Sequence, residues 1–164
     1  MDTFDVIRSR RSVRAFKDKK IPDEILYAIL EAGHSAPAAW NKTNWRFLVV
    51  ETEESKKIIV KAALGQNWIA QAPVVIIACS DPISIIRDGG ERGKRLYQIQ
   101  NVAAAIENIL LAAHNFGIAS CWVGAFDETK LKDVLGVPKS GRPQVVIAIG
   151  YPDEIVAEPM HNTL

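Results

Sequence analysis

Residues 96–116 have almost no polar face, and this limits what the chain can fold into more than any other feature. Val102, Ala103, Ala104, Ala105, Ile106, Ile109, Leu110, Leu111, Ala112 and Ala113 leave almost no polar face on the predicted helix. A helix that is apolar all round must be enclosed on most sides. A chain of 164 residues is about one domain by length. It has little else with which to surround so long a helix, so part of the cover is expected from a second subunit. Gly117 follows, where a left-handed residue commonly closes a helix.

Around this helix the pattern predicts a small α+β domain. A first helix is expected over residues 3–10, with Thr3 as its N-cap. A second starts at Pro22, with Asp23 and Glu24 in its first turn, where Pro and acidic residues suit a helix start. Ile25, Leu26, Ile29 and Leu30 share one face of it. Residues 34–44 read as a loop, 45–51 as a strand and 53–64 as an amphipathic helix. Residues 73–79 are continuously apolar, as in a strand covered on both faces. A strand-like segment at 118–126, a short helix at 128–135 and a last strand at 143–150 complete the reading. The strands are not separated by regular crossover helices, which argues against a doubly wound sheet.

Several functions are disfavoured at once. A formal charge of +1 is too small for a general nucleic-acid binder. No apolar run reaches a membrane span, and the charged start MDTFDVIRSRRS is not a signal peptide, so a cytoplasmic protein is expected. Cys79 and Cys121 read as buried free thiols. The nucleotide-binding glycine motifs, the GxSxG elbow and CxxC spacing are all missing. His34, His114 and His161 lack metal-ligand spacing and read as surface or packing residues, so no metal is expected. If the chain is an enzyme, its reactive chemistry is expected to come from a cofactor.

Three segments are candidates for holding one. Arg8, Arg10, Arg11 and Arg14 alternate with Ser9 and Ser12 at the end of the first helix. Guanidinium forks and hydroxyls match phosphate oxygens, although the same run also reads as a solvated turn paired with Asp2 and Asp5. In the loop Ala36-Pro37-Ala38-Ala39-Trp40-Asn41-Lys42-Thr43-Asn44-Trp45, small residues admit a planar ligand and Asn41 both donates and accepts. Trp40 and Trp45 either wall such a ligand or pack into the core. Finally, Gly124 in Trp122-Val123-Gly124-Ala125-Phe126-Asp127 marks either a close backbone approach or a bulge.

In this order, the RRSVRAF element, the AP-x-x-x-N-x-x-x-W loop, the APVVII strand, GIAS after the alanine-rich helix and the WVGAFD turn resemble the nitroreductase family. The match runs over nearly the whole chain. The resemblance implies a nitroreductase-like fold, with a small central sheet flanked by helices around a long buried helix. The whole of residues 1–164 would be one FMN-binding domain in an intertwined homodimer. It places Arg10, Arg11 and Ser12 around the FMN phosphate and ribityl chain, and Arg14 beside the pyrimidine edge near N1 and O2. Pro37, Ala38 and Asn41 match a loop that reaches the ring from the partner subunit. Val123, Gly124 and Ala125 match the turn near N5 and O4, and Gln66 and Asn67 a polar flavin contact.

The implied activity is reduction of nitroaromatics, quinones or flavins by NAD(P)H, in ping-pong hydride transfer through flavin N5. A specialised flavoprotein of the same fold (a dehydrogenase, dehalogenase or flavin-fragmenting enzyme) is the alternative, and residues 80–94 are the one candidate lid. A non-catalytic phosphate-ligand or nucleic-acid binder is a further alternative. The chain departs from the family pattern at several positions. It has Ala38 for Ser, Thr43 for Gln, Asn44 for Pro, Asn101 for Asp, and Trp40 for a small residue that would leave more substrate space. No basic residue follows Arg142 to reach the phosphate, so either the N-terminal arginines suffice or FMN binding is weaker.

Overall fold

A computed structural model describes residues 1–81, 83–138 and 140–158; His161 lies outside them. The elements in chain order are α1 (Thr3–Ser9), α2 (Asp23–His34), a 3-10 turn (Ala39–Asn41), β1 (Trp45–Val50), α3 (Glu53–Ala62), a 3-10 turn (Asn67–Gln71) and β2 (Val74–Ser80). Then follow α4 (Ile83–Arg92), a π-helical stretch (Gly93–Tyr97), α5 (Gln98–Asn115), β3 (Ala119–Val123), α6 (Glu128–Val134) and β4 (Arg142–Gly150). All four strands are antiparallel, in the order β1-β2-β4-β3. The α+β class with a small antiparallel sheet agrees with the sequence reading.

β2 is buried along its whole length, and the reason is three-layer packing. Val74, Ile76 and Ala78 of β2, with Val145, Ile147 and Ile149 of β4, face α2 and α5 through Ile29, Val102, Ala105, Ile106 and Ile109. The alternate residues Val75, Ile77, Cys79, Val146 and Ala148 face Ile59, Val60, Ala62 and Leu131 of α3 and α6. Burial on both faces removes the polar alternation that a half-exposed strand would show. α2 and α5 approach closely because Gly33 has no side chain. A Cβ there would lie 2.8 Å from Ile109 Cγ1.

Two local expectations need correction. The N-cap of α1 is Asp2, whose carboxylate accepts from Phe4 N–H at 2.8 Å; Thr3 is already helical. The long helix also extends further toward the N-terminus than its apolar pattern. α4 is broken at Gly90 (φ 53, ψ −141), and the second limb runs through the π stretch into α5. That backbone conformation suits glycine alone. Gly93 lets the limb press on α4, since a Cβ there would meet Ile85 O at 2.3 Å. Residues 80–94 are therefore mostly helical. Among the described residues, no helix is long and apolar enough to cross a membrane.

Candidate flavin site

The arginine run follows α1 because that helix stops at Ser9 and the chain then lies along β3. Ser12 bridges Ser120 and Val13 N–H donates to Ser120 O at 3.1 Å. Arg10, Arg11, Ser12 and Arg14 come together, with Ile7, Arg8 and the tail residues Val156, Ala157 and Glu158, around a cleft of about 690 Å³. The four are not equivalent. Arg11 turns back on α1, donating from Nη1 to the carbonyls of Arg8 (2.5 Å) and Arg10 (3.0 Å), and from Nη2 to Glu158 at 3.3 Å. It serves the carbonyl end of the helix, where cations are favoured, and its ion pair is with Glu158 instead of Asp2 or Asp5. Arg14 holds the tail through its backbone, where its N–H and that of Ala15 donate to Glu154 Oε1. Its guanidinium lies 5.8 Å from the Trp68 ring.

This convergence bears on two neighbouring titratable groups. Burial pushes the Cys121 thiol above its usual range, while Arg14, a hydrogen bond from Ser12 and Arg10 pull the other way. Burial, then Arg10 and Arg11, hold His114 below the ordinary imidazole value, and His114 Nε2 lies 2.7 Å from Ser9 Oγ. Cys79, on the α3 side of the sheet, is pushed up to about 11 by burial. Both thiols are buried and free, as expected, and no metal-binding cluster of His, Cys, Asp and Glu occurs among the described residues.

The third candidate segment lies on the same sheet edge as the arginines. β3 ends at Val123, and Gly124 and Ala125 emerge exposed. Ser120 and Val123 are three residues apart, roughly 10 Å along a strand. The space beside Gly124 is open, its nearest neighbour to a built Cβ being Trp122 Nε1 at 3.9 Å. Gln66 bridges the turn, donating from Nε2 to Ala63 O and to Ala125 O at 3.1 Å, with exposed Asn67 next to it. Arg10, Ser12, Arg14, Gln66, Asn67, Gly124 and Ala125 thus line one edge.

Pro37, Ala38 and Asn41 do not join them. Their loop leads into β1, the opposite edge strand. Trp45 pairs with Ser80, Ser80 with Arg142, and Ser120 with Ile149. Trp45 and Ser12 are therefore four strand spacings apart across the sheet, and apart along it by the stretch of β4 from Arg142 to Ile149. That is roughly 19 Å by 24 Å, or about 30 Å corner to corner.

The two tryptophans of this loop part company. Trp45 is wholly buried and donates to His34 Nδ1 at 3.3 Å, so it packs the core and does not wall a ligand. Trp40 is 51% exposed and meets the Tyr97 ring edge-on at 5.6 Å. Tyr97 is in turn held by Arg92 Nε at 2.8 Å. Trp40 and Asn41 both take left-handed backbone, with φ of 53° and 54°. Asn tolerates that region, whereas for Trp it costs about 1–3 kcal/mol. Lys42 pairs with Asp88 of α4.

Sequence reasoning missed Trp68 and Glu154, which flank Arg14. Trp68 directly follows Gln66 and Asn67, and Glu154 ends the YPDE run, but nothing local connects either to an arginine more than fifty residues away.

Known proteins decide what this arrangement belongs to. The model of the Nitroreductase family matches residues 7–151. The chain belongs to the nitroreductase family. A relative from Archaeoglobus fulgidus is 34% identical over 93% of this chain and 87% of its own length. An FMN reductase [NAD(P)H] of Bacillus subtilis is 31% identical over 90% of this chain and 66% of that longer protein. Iodotyrosine deiodinases are among the further relatives, at 26% identity or less. The crystal structure of a nitroreductase family protein from Clostridium novyi NT superposes with a TM-score of 0.85 at 30% identity, covering 94% of this chain and 87% of that one. Membership in this family of NAD(P)H oxidoreductases supports an enzyme, and the relatives differ in the reactions that they are named for.

Proposed function

We propose that this nitroreductase-family chain is an FMN-dependent NAD(P)H oxidoreductase, a single domain acting as a homodimer with flavin held between subunits. The observation that carries the reading is that the arginine cleft and the open turn at Gly124 lie along the same edge strand, about 10 Å apart. A phosphate group fits the guanidinium and hydroxyl donors of Arg10 and Ser12, with Arg11 fixing the end of α1 behind them. A planar ring fits the turn about 10 Å further along β3, where a side chain on Gly124 would fill the space. Arg14 then stands beside the ring's pyrimidine edge, where a fixed cation favours negative charge. Gln66 holds the backbone of the turn, and Asn67 adds a polar side chain at its rim.

Pro37, Ala38 and Asn41 are too far from this edge to touch the same ligand in one chain. A partner subunit supplies them, and this also provides the cover that α5 lacks. Ile99 on α5 and Phe116 at its end remain exposed. When bound, FMN supplies the hydride chemistry, passing two electrons from NAD(P)H to an acceptor. The chain's part is to bind, orient and exclude water, and donor and acceptor use the same space in turn. Trp40 narrows that space and fits a flat acceptor such as a nitroaromatic, a quinone or a flavin. The two free buried thiols suit a reducing cytoplasm.

Titration with FMN and riboflavin tests the reading. The wild-type protein should be yellow and bind both. Arg10→Ala should weaken FMN by about 1.5–3 kcal/mol, the scale of a charged hydrogen bond, and riboflavin far less. A protein that takes up neither flavin removes the proposal, and equal losses for both ligands remove the phosphate role of Arg10.

A further inference from the structure

Asn101 lies in the first turn of α5 and is 5% exposed. Its Oδ1 accepts from Ala39 N–H at 3.0 Å, and its Nδ2 donates to Asn44 Oδ1 at 2.9 Å. One buried amide therefore grips both ends of the tight turn that contains the left-handed pair Trp40 and Asn41. Strained backbone persists only where its surroundings over-determine it. From outside, the turn is held by two partly exposed contacts, Lys42 with Asp88 and Trp40 with Tyr97. From beneath it is held by Asn101. Asn44 is 1% exposed, and its Nδ2 has no partner.

We infer that Asn101 is a positioning residue for the flavin, acting through Asn41 by fixing the turn that presents it to the partner subunit's site. The inference rests on the proposal that this loop covers the flavin ring. Only an amide does both jobs as the side chains now stand, since one atom must accept while the other donates. Aspartate keeps the acceptor for Ala39 N–H. Rotation of the Asn44 amide would then turn its unpartnered Nδ2 toward the second carboxylate oxygen. Leucine, of similar volume, does neither.

The test is titration of FMN and of riboflavin, with the long-wavelength flavin band recorded for each bound form and thermal melting to confirm folding. Asn101→Leu should raise both dissociation constants by the same factor, about tenfold for a lost hydrogen bond and a loosened turn, and alter the band shape. Asn101→Asp should stay within about threefold of wild type. Asn41→Ala should match the leucine variant, and Asn41→Ala with Asn101→Leu should lose no more than either alone, because coupled residues are not additive. If Asn101→Leu does not fold, Asn101→Ser, too short to reach Ala39 N–H, carries the same expectation. Wild-type affinity in the folded leucine variant overturns the inference. So does an aspartate variant as weak as leucine, a loss confined to FMN, or additive losses in the double variant. A wild-type protein that binds neither flavin overturns the flavin reading itself and the inference with it.

Discussion

If the site is completed across a dimer, two different lesions in two different chains should leave one site intact. Arg10→Ala removes a phosphate contact on the β3 edge. Asn41→Asp keeps a residue that tolerates left-handed backbone but sets a carboxylate against the ring's carbonyl edge. Each lesion should cost about 1.5–3 kcal/mol, or roughly ten- to a hundredfold in affinity. Ser12 and Trp45, the sheet residues nearest these two groups in the chain, are roughly 30 Å apart, so one flavin is not expected to meet both groups from the same subunit. In a heterodimer of the two variants, one site therefore receives both lesions and the other receives none. The losses should add at the damaged site, because the two residues grip opposite ends of the ligand; about 3–6 kcal/mol leaves it empty at ordinary flavin concentrations. Co-expression with two different affinity tags yields the heterodimer, and FMN fluorescence quenching reads the stoichiometry. The expected curve has one FMN per dimer at wild-type affinity. If each chain built its own site, both sites would carry one lesion and no wild-type phase would exist. That curve, or a heterodimer that never forms because the protein is a monomer, would refute the reasoning.

Three further outcomes are expected. Arg14→Met should lower the two-electron potential of bound flavin by tens of millivolts, about 30 mV being 1.4 kcal/mol for such a couple; potentiometric titrations that coincide would show that Arg14 stands away from the ring. Burial, Arg10 and Arg11 hold His114 below its ordinary 6.5, so as pH falls through that value the unfolded chain takes up the proton first and stability drops until folded His114 is protonated too; melting curves of His114→Gln should lose this acid-side decline, and an unchanged decline would refute the assignment. Lys56 is 3% exposed and donates from Nζ to Ala72 O at 3.0 Å, so Lys56→Met should strand that carbonyl and cost about 1–3 kcal/mol in denaturant unfolding, a prediction that an unchanged midpoint would defeat.

Much of the molecule was legible in the order of its residues. The apolar run of β2, the long helix α5, the burial of both cysteines and the concentration of arginines after α1 follow from local periodicity and composition. Each reports the environment of a short stretch of backbone, which neighbouring residues determine. Packing between distant segments decided the rest. Trp40 and Trp45 share one loop, yet one is a half-exposed platform and the other is core, because β1 turns Trp45 onto His34 and leaves Trp40 to Tyr97. Arg10 and Arg11 are adjacent, yet only Arg11 is spent on the carbonyls of α1. Lys56 reads as a solvated helix residue until Ala72 closes over it. Residue order alone does not say which of the three candidate segments share an edge of the sheet. The sheet separates them into an edge that carries two and a far corner that carries the third, because strand order and register are set by how whole faces pack and not by the residues within any one segment.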